Sequence, residues 1–336
     1  MRELAAEFGA SFHTVSGAIE ILCRDDLAMR APGRGCRVLP PQDRLHRSVI
    51  CVIYAPPRLP HTIGTGQQRV VDGIQQTLQR HGYRFEAINY NDTPLSPDEI
   101  VERYGAVISA VDVDREGRVL MALEARRIPL VVANLEPDWN LTATFVDHCK
   151  TTRHAVRTLV AMGHRRIGFV TRSPRIHFYG KAREGYILGL QEAGIELDER
   201  LIVEAAGPEN LSGYIAARRL LDVRPLPTAI VAARDYLAHG AYQAFTEAGY
   251  VIGKDVSLIG FDDVTWPQEE PFLTTFREPN YELGAVAAEM LIDRIVNGWR
   301  PPEKRELECE FILRRTVAPL VSQGGVAVSA GAAGRR

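Results

Sequence analysis

The 336 residues, 46% hydrophobic and 24% charged, have the composition of a globular protein long enough for two or three compact units. No apolar run approaches the ~18 residues of a membrane span, and no basic-then-apolar leader opens the chain. Five scattered cysteines without a CxxC pair argue against a disulfide framework or a zinc site and for a reducing, cytoplasmic compartment.

A net charge of −2 would count against a nucleic-acid partner, but the first forty residues depart from that average. Arg2 to Gly9 reads as a short helix with Leu4, Ala5 and Phe8 on one face. Gly9 to Ser11 is a tight break, and Ser11 is placed to cap a second helix. In that helix Val15, Ile19 and Leu22 repeat on one side, leaving His13, Thr14 and Ser16 off it. Helix, three-residue turn and helix make a helix-turn-helix pattern. Next, "LAMRAPGRGCRVL" reads as a hairpin that holds Arg34 at its tip between Gly33 and Gly35. From Leu27 to Arg47, five arginines stand against Asp43 alone, which suits either phosphate contact or a solvated basic linker.

The pattern "RELAAEFGAS.HTV..AIEIL....L..R.PGRGCRV" resembles the winged helix-turn-helix of the GntR type of bacterial transcription regulators. The resemblance implies that Ser11, His13, Thr14, Ser16, Arg34 and Arg37 face DNA, with Arg34 as a wing residue entering the minor groove. Two positions depart from it: Phe12 and Ser16 stand where that family usually carries phosphate-contacting arginines. The family also has a helix ahead of this pair, so the expectation is a domain truncated at its start or a true start lying upstream.

Residues 1–39 thus form the first expected domain, and the aperiodic "PPQDRLHRS" gives a linker at 40–48. Beyond it, strands such as "SVICVIY", "GAVISAV", "RRIGFVT", "TAIVAA" and "VSLIGFDD" alternate with helices that end at glycine. That alternation predicts an α/β fold of parallel sheets with helices on both faces. Roughly ten strands predict two lobes, split near Gly163: 49–163 with 280–304, and 164–279 with 305–319. "LTTFREP" and "ECEFILRRT" flank a long helix over Tyr281 to Asn297. The small-residue tail, 320–336, reads as disordered.

The second half resembles the LacI/GalR ligand-sensing domain through "AV..LVAMGHRRIGFVT", "GY..GLQEAGI", "PTAIVAARDYLAHGAYQAFTEAG" and "GKDVSLIGFDDV". The resemblance spans about Ser48 to Pro319. It implies two Rossmann-like lobes of the periplasmic-binding-protein type with a ligand cleft between them. Together the two resemblances imply a homodimeric repressor of the arabinose-repressor arrangement, with operator DNA and a small effector, a sugar, as partners and no cofactor. A transport-type sugar-binding protein without DNA binding is the alternative.

Ligands of open parallel sheets bind beyond the carboxyl ends of strands, which selects Arg172, Arg234, Asp235, Asp262 and Asp263. Carboxylates and guanidinium forks each make two hydrogen bonds, as a polyol requires. The resemblance places Asp262 at a ligand contact and puts Arg234 where the family often has Asn. Asp235 either touches ligand or caps the following helix. Trp139 and Trp266 follow strand ends and either stack on a sugar or pack in loops. Arg183 lies one position after Ala182, where the family commonly has arginine. His61 and Thr62 are candidates for the loop after the first long strand. An enzyme is not expected: GxxxxGK[ST], GxSxG and HExxH are absent, and "GTG" at 64–66 is no dinucleotide fingerprint. His148 and His154 are expected to face solvent around a helix.

Overall fold

The computed structural model describes every residue except 1, 25–26, 32–34, 39–48, 55–65, 91, 93–95, 111–112, 135–139, 208, 265–269 and 321–336. Arg34, His61, Thr62, Trp139, Trp266, the expected linker and nearly all of the expected tail therefore lie outside the described residues.

At the start, α1 (Arg2–Glu7) and α2 (Phe12–Arg24) are joined through Gly9. Its φ of 58° is left-handed backbone that glycine adopts without a Cβ penalty. Ser11 Oγ accepts from the Thr14 amide at 3.1 Å, so it caps α2. Val15 and Ile19 are buried, while Leu4, Phe8 and Leu22 are exposed. β1 (Ala28–Ala31) and β2 (Gly35–Val38) pair antiparallel, closing the expected hairpin with Ala31 opposite Gly35.

The chain forms two compact units, Met1–Asp147 with Arg277–Glu310 and His148–Phe276 with Phe311–Arg336. The first holds a parallel sheet made from β3 (Val49–Tyr54), β4 (Arg84–Asn89), β5 (Ala106–Ala110), β6 (Leu130–Val132), β7 (Ala143–Phe145) and β13 (Lys304–Glu306). Its order is β13-β7-β6-β5-β3-β4. Alternate residues of these strands enter two cores, as a sheet covered on both faces requires. Ile50, Val52, Ile108 and Val131 pack with α3 (Gly66–Arg80) and α10 (Asn280–Asn297); Cys51, Ile53, Val107 and Val132 pack with α4 (Pro97–Arg103) and α5 (Val113–Ala125). Ser96 and Glu99 close a reciprocal capping box at the start of α4, behind Pro97.

The second unit's sheet runs β14-β12-β11-β10-β8-β9, built from β8 (Ile167–Thr171), β9 (Ile202–Glu204), β10 (Ala229–Ala232), β11 (Ser257–Phe261), β12 (Thr274–Arg277) and β14 (Glu310–Ile312). From β9 to β12 every neighbouring pair is parallel. The sheet carries α6 (His148–Ala161), α7 (His177–Glu192), α8 (Glu209–Leu221) and α9 (Asp235–Glu247). Stacked Phe169–Tyr186 and Phe261–Phe276 rings, 4.8 Å and 5.2 Å between centroids, fill its core.

One expectation changes here. The break between units precedes α6 rather than following it at Gly163. α6 packs on α7, where a Cβ on Gly185 would lie 2.1 Å from the Cys149 carbonyl, so the helix is committed to the second unit. At the edge of the expected tail, the Leu320 amide donates to Met162 O at 2.8 Å and the Ala318 amide to Ser257 Oγ at 3.1 Å, while 321–336 lie outside the described residues.

Candidate functional site

In the second unit the carboxyl ends of β8, β10 and β11 are neighbours, and the residues just beyond them meet. Arg234 follows β10 and forms an ion pair with Asp262, which follows β11. The two side chains are 24% and 18% exposed, enough to reach solvent yet largely shielded from it. The Arg234 guanidinium lies 3.7 Å from the centre of the Phe178 ring, at the first turn of α7. His148 meets the same ring edge-on at 4.2 Å. Tyr179 and Tyr236 join their hydroxyls at 2.9 Å, and Arg172 donates to Tyr236 Oη at 3.5 Å and to Gly207 O at 3.4 Å. Burial and the neighbouring Tyr236 push the Tyr179 phenol above its ordinary range, so it stays a neutral donor and acceptor. The result is a polar cluster of two guanidiniums, a carboxylate and two phenols on an aromatic floor.

The loop under this cluster has an unusual backbone. Asp262 and Asp263 have φ of 118° and 56°, two successive residues in a region that non-glycine residues rarely occupy. Three anchors hold it. The Asp262 amide donates to Phe276 O at 2.9 Å, Arg314 pairs with Asp263 at 2.7 Å, and the Val264 amide donates to Asp235 Oδ2 at 2.9 Å.

Asp235 is thereby corrected as a candidate. It is 1% exposed, and Thr275 Oγ1 donates to its other oxygen at 2.8 Å, so it lies beneath the cluster. Nor does it cap α9: it is the first residue of the helix, and the cap position, Arg234, makes no side-chain capping bond. Arg183 is also not brought to the cluster. It sits mid-helix on α7 and pairs with Glu199 at 3.1 Å. His148 packs on Phe178 rather than facing solvent; His154, exposed as expected, still sets its ring 5.3 Å from Phe276. Among the described residues no three His, Cys, Asp or Glu side chains group as metal ligands.

Sequence reasoning missed Phe178, Tyr179 and Tyr236. The run "HFYG" shortly after a strand was the available signal, because two adjacent aromatics at a helix start turn back toward the strand ends. It also missed a polar group in the first unit. Beyond β6, Asn134 has a φ of 62° and donates to Asn280 Oδ1, at the start of α10, at 3.2 Å. Asn134 Oδ1 is buried without a hydrogen-bond partner, and Gln67 nearby on α3 donates to Ala110 O, at the end of β5.

In the N-terminal segment His13, Thr14 and Arg37 are exposed, Ser16 is half-buried, and Ser11 is exposed while engaged in its cap.

A family model for the periplasmic binding protein-like domain matches residues 156–317. The chain is 31% identical over 268 residues to the HTH-type transcriptional repressor PurR of Edwardsiella ictaluri, a match covering 74% of this chain and 75% of that protein. Against PurR of Escherichia coli O1:K1 / APEC the match spans 60% of the relative's length, at 36% identity. A transcriptional regulator CelR–cellobiose complex superimposes with a TM-score of 0.70 at 23% identity, over 81% of this chain and 85% of that one. A LacI family regulator from Enterococcus faecium with bound ribose gives 0.68 at 24%, over 81% of this chain and all of that one. The structural matches establish the fold: two parallel-sheet lobes of the periplasmic-binding-protein type.

Proposed function

From the premise that the chain belongs to the LacI family of transcriptional regulators, we propose that it is a repressor whose operator binding responds to a small hydroxylated effector, a sugar or sugar derivative, held at the Arg234–Asp262 cluster. It is a regulator and not an enzyme, and its repressor relatives favour this reading over transport. The observation that carries the effector reading is the Arg234–Asp262 ion pair at adjacent strand ends. A guanidinium fork beside a carboxylate offers donors and acceptors at one spot, and neighbouring hydroxyls of a polyol satisfy both at once. Binding exchanges the internal pair for two sets of hydrogen bonds to ligand. Tyr179, Tyr236 and Arg172 extend the same polar surface.

The N-terminal reading is finer. A helix pair followed by a two-stranded hairpin supports a wing of the GntR type, with Ser11, His13, Thr14, Ser16 and Arg37 toward DNA and Arg34 at the hairpin tip. Pairing of two subunits would set two such segments on a palindromic operator. As a regulator of transcription the protein works in the cytoplasm.

A thermal-shift screen of carbohydrates, with nucleobases and amino acids as controls, tests the effector class. Stabilisation by one sugar that is lost in Asp262→Asn supports the proposal. Stabilisation only by a nucleobase or an amino acid overturns the class.

A further inference from the structure

We propose that Asp235 is a positioning residue: buried beneath the effector cluster, it clamps the loop that carries Asp262 and holds Asp262 in place whether or not Arg234 is paired with it. This rests on the reading of Asp262 as an effector contact.

The clamp is built from consecutive residues that act on the same loop from two sides. Arg234 holds Asp262 by an ion pair at the partly exposed surface. Asp235, the next residue, turns inward and accepts the Val264 amide at 2.9 Å and the Thr275 hydroxyl at 2.8 Å. One carboxyl thus ties α9, the loop after β11 and the strand β12. Gly260 makes room for it, since a Cβ there would lie 2.2 Å from Asp235 Oδ1. An effector that draws Asp262 away from Arg234 removes the outer tie. Without the inner tie, only the Asp262 amide bond to Phe276 O and the Arg314–Asp263 pair would hold the two successive positive-φ residues, and the Val264 end of the loop would loosen as the ligand drew on Asp262. The inner tie is out of a ligand's reach, because Asp235 is 1% exposed.

The charged and polar groups facing Asp235 are Asp262 and Asp263 from the loop, themselves paired with Arg234 and Arg314, and Thr275 from β12. Burial first, and then the charge of Asp262, hold the Asp235 carboxyl well above the usual carboxylate range. Folding therefore takes up a proton at this site, and stability falls as pH rises through the raised value. Asparagine keeps the bond from the Val264 amide through its carbonyl oxygen, reverses the Thr275 bond so that its amide nitrogen donates to the hydroxyl, and has no proton to lose.

Hydrogen exchange resolved at Val264, together with melting temperature from pH 5 to 8, tests this in the wild type, Asp235→Asn, Asp235→Ala and Arg234→Ala. Expected are at least tenfold faster Val264 exchange in Asp235→Ala, wild-type exchange in Asp235→Asn and Arg234→Ala, and a flatter pH dependence of melting in Asp235→Asn. Should Asp235→Ala not fold, Thr275→Val loosens the clamp from the β12 side, and faster Val264 exchange is expected there. Wild-type exchange in Asp235→Ala, or in Thr275→Val if only that variant folds, overturns the clamp, as does a loss of Val264 protection in Arg234→Ala equal to that in Asp235→Ala. Titration with D-glucose and D-ribose is read separately: if neither binds the wild type while the exchange pattern holds, the sugar reading is at fault and the clamp stands.

Discussion

At Asp262, position and charge separate cleanly. Asp262→Asn keeps the side chain's shape but removes its charge, and a charge-assisted hydrogen bond is worth about 1.5–3 kcal/mol. Effector affinity should fall roughly ten- to a hundredfold, read as the loss of thermal stabilisation by the sugar that stabilises the wild type. The fold should persist, because the Asp262 amide still donates to Phe276 O and Asp235 still holds Val264. An unfolded variant by circular dichroism would show that the Arg234–Asp262 pair is structural. That Arg234 and Asp262 stand just beyond strand ends was readable from the strand pattern of the sequence. The place of Asp235 was not, because nothing in "RDY" says which of two adjacent polar residues turns inward. That depends on the cavity left by Gly260 and on the Thr275 hydroxyl, residues distant in sequence.

Among elements, helix crossings govern. α3 and α10 pack so closely that a Cβ on Gly284 would lie 1.9 Å from Val70 O, and one on Gly73 2.0 Å from Tyr281 O. Backbone cannot yield as a side chain tip does, so Gly284→Ala should destabilise by about 1–3 kcal/mol or more. Urea unfolding checks this, with the exposed, positive-φ Gly249 set aside because a substitution there is strained for a different reason. A second element-scale test concerns the C-terminal segment. Buried His164 bonds Thr228 Oγ1 at 3.0 Å and Ala318 O at 3.1 Å, and burial holds its pKa below the ordinary histidine value. A depressed histidine favours the neutral form in the folded state, so its contribution is lost as pH falls through the unfolded value, about 6.5, toward the folded one. Residues 316–320 should exchange faster at pH 5 than at pH 7 after correction for intrinsic rates, and His164→Gln should reduce that difference. Most strands were legible by their β-branched runs, whereas β7, β9 and β13, three residues each, carry too little pattern to be seen. The placement of α6 was missed because α7 receives it at Gly185 and Gly189, and a glycine announces a close approach without saying to what.

At the scale of the whole molecule, the proposed function requires a DNA-reading segment coupled to an effector-sensing one. If Arg34 and Arg37 contact phosphate or the minor groove, replacing Arg34 by Ala should weaken all DNA binding and reduce the slope of log affinity against log salt by about one unit. An unchanged slope would remove Arg34 from the contact set. Effector control of operator binding is read by fluorescence anisotropy of a duplex from the protein's own upstream region, with and without the stabilising sugar, in the wild type and in Asp262→Asn. Both proteins should bind the specific duplex more tightly than a shuffled one, and adding the sugar should change the affinity of the wild type but not of the variant. Binding no tighter than to the shuffled duplex, with or without sugar, or an equal response in the two proteins, would contradict the proposed function.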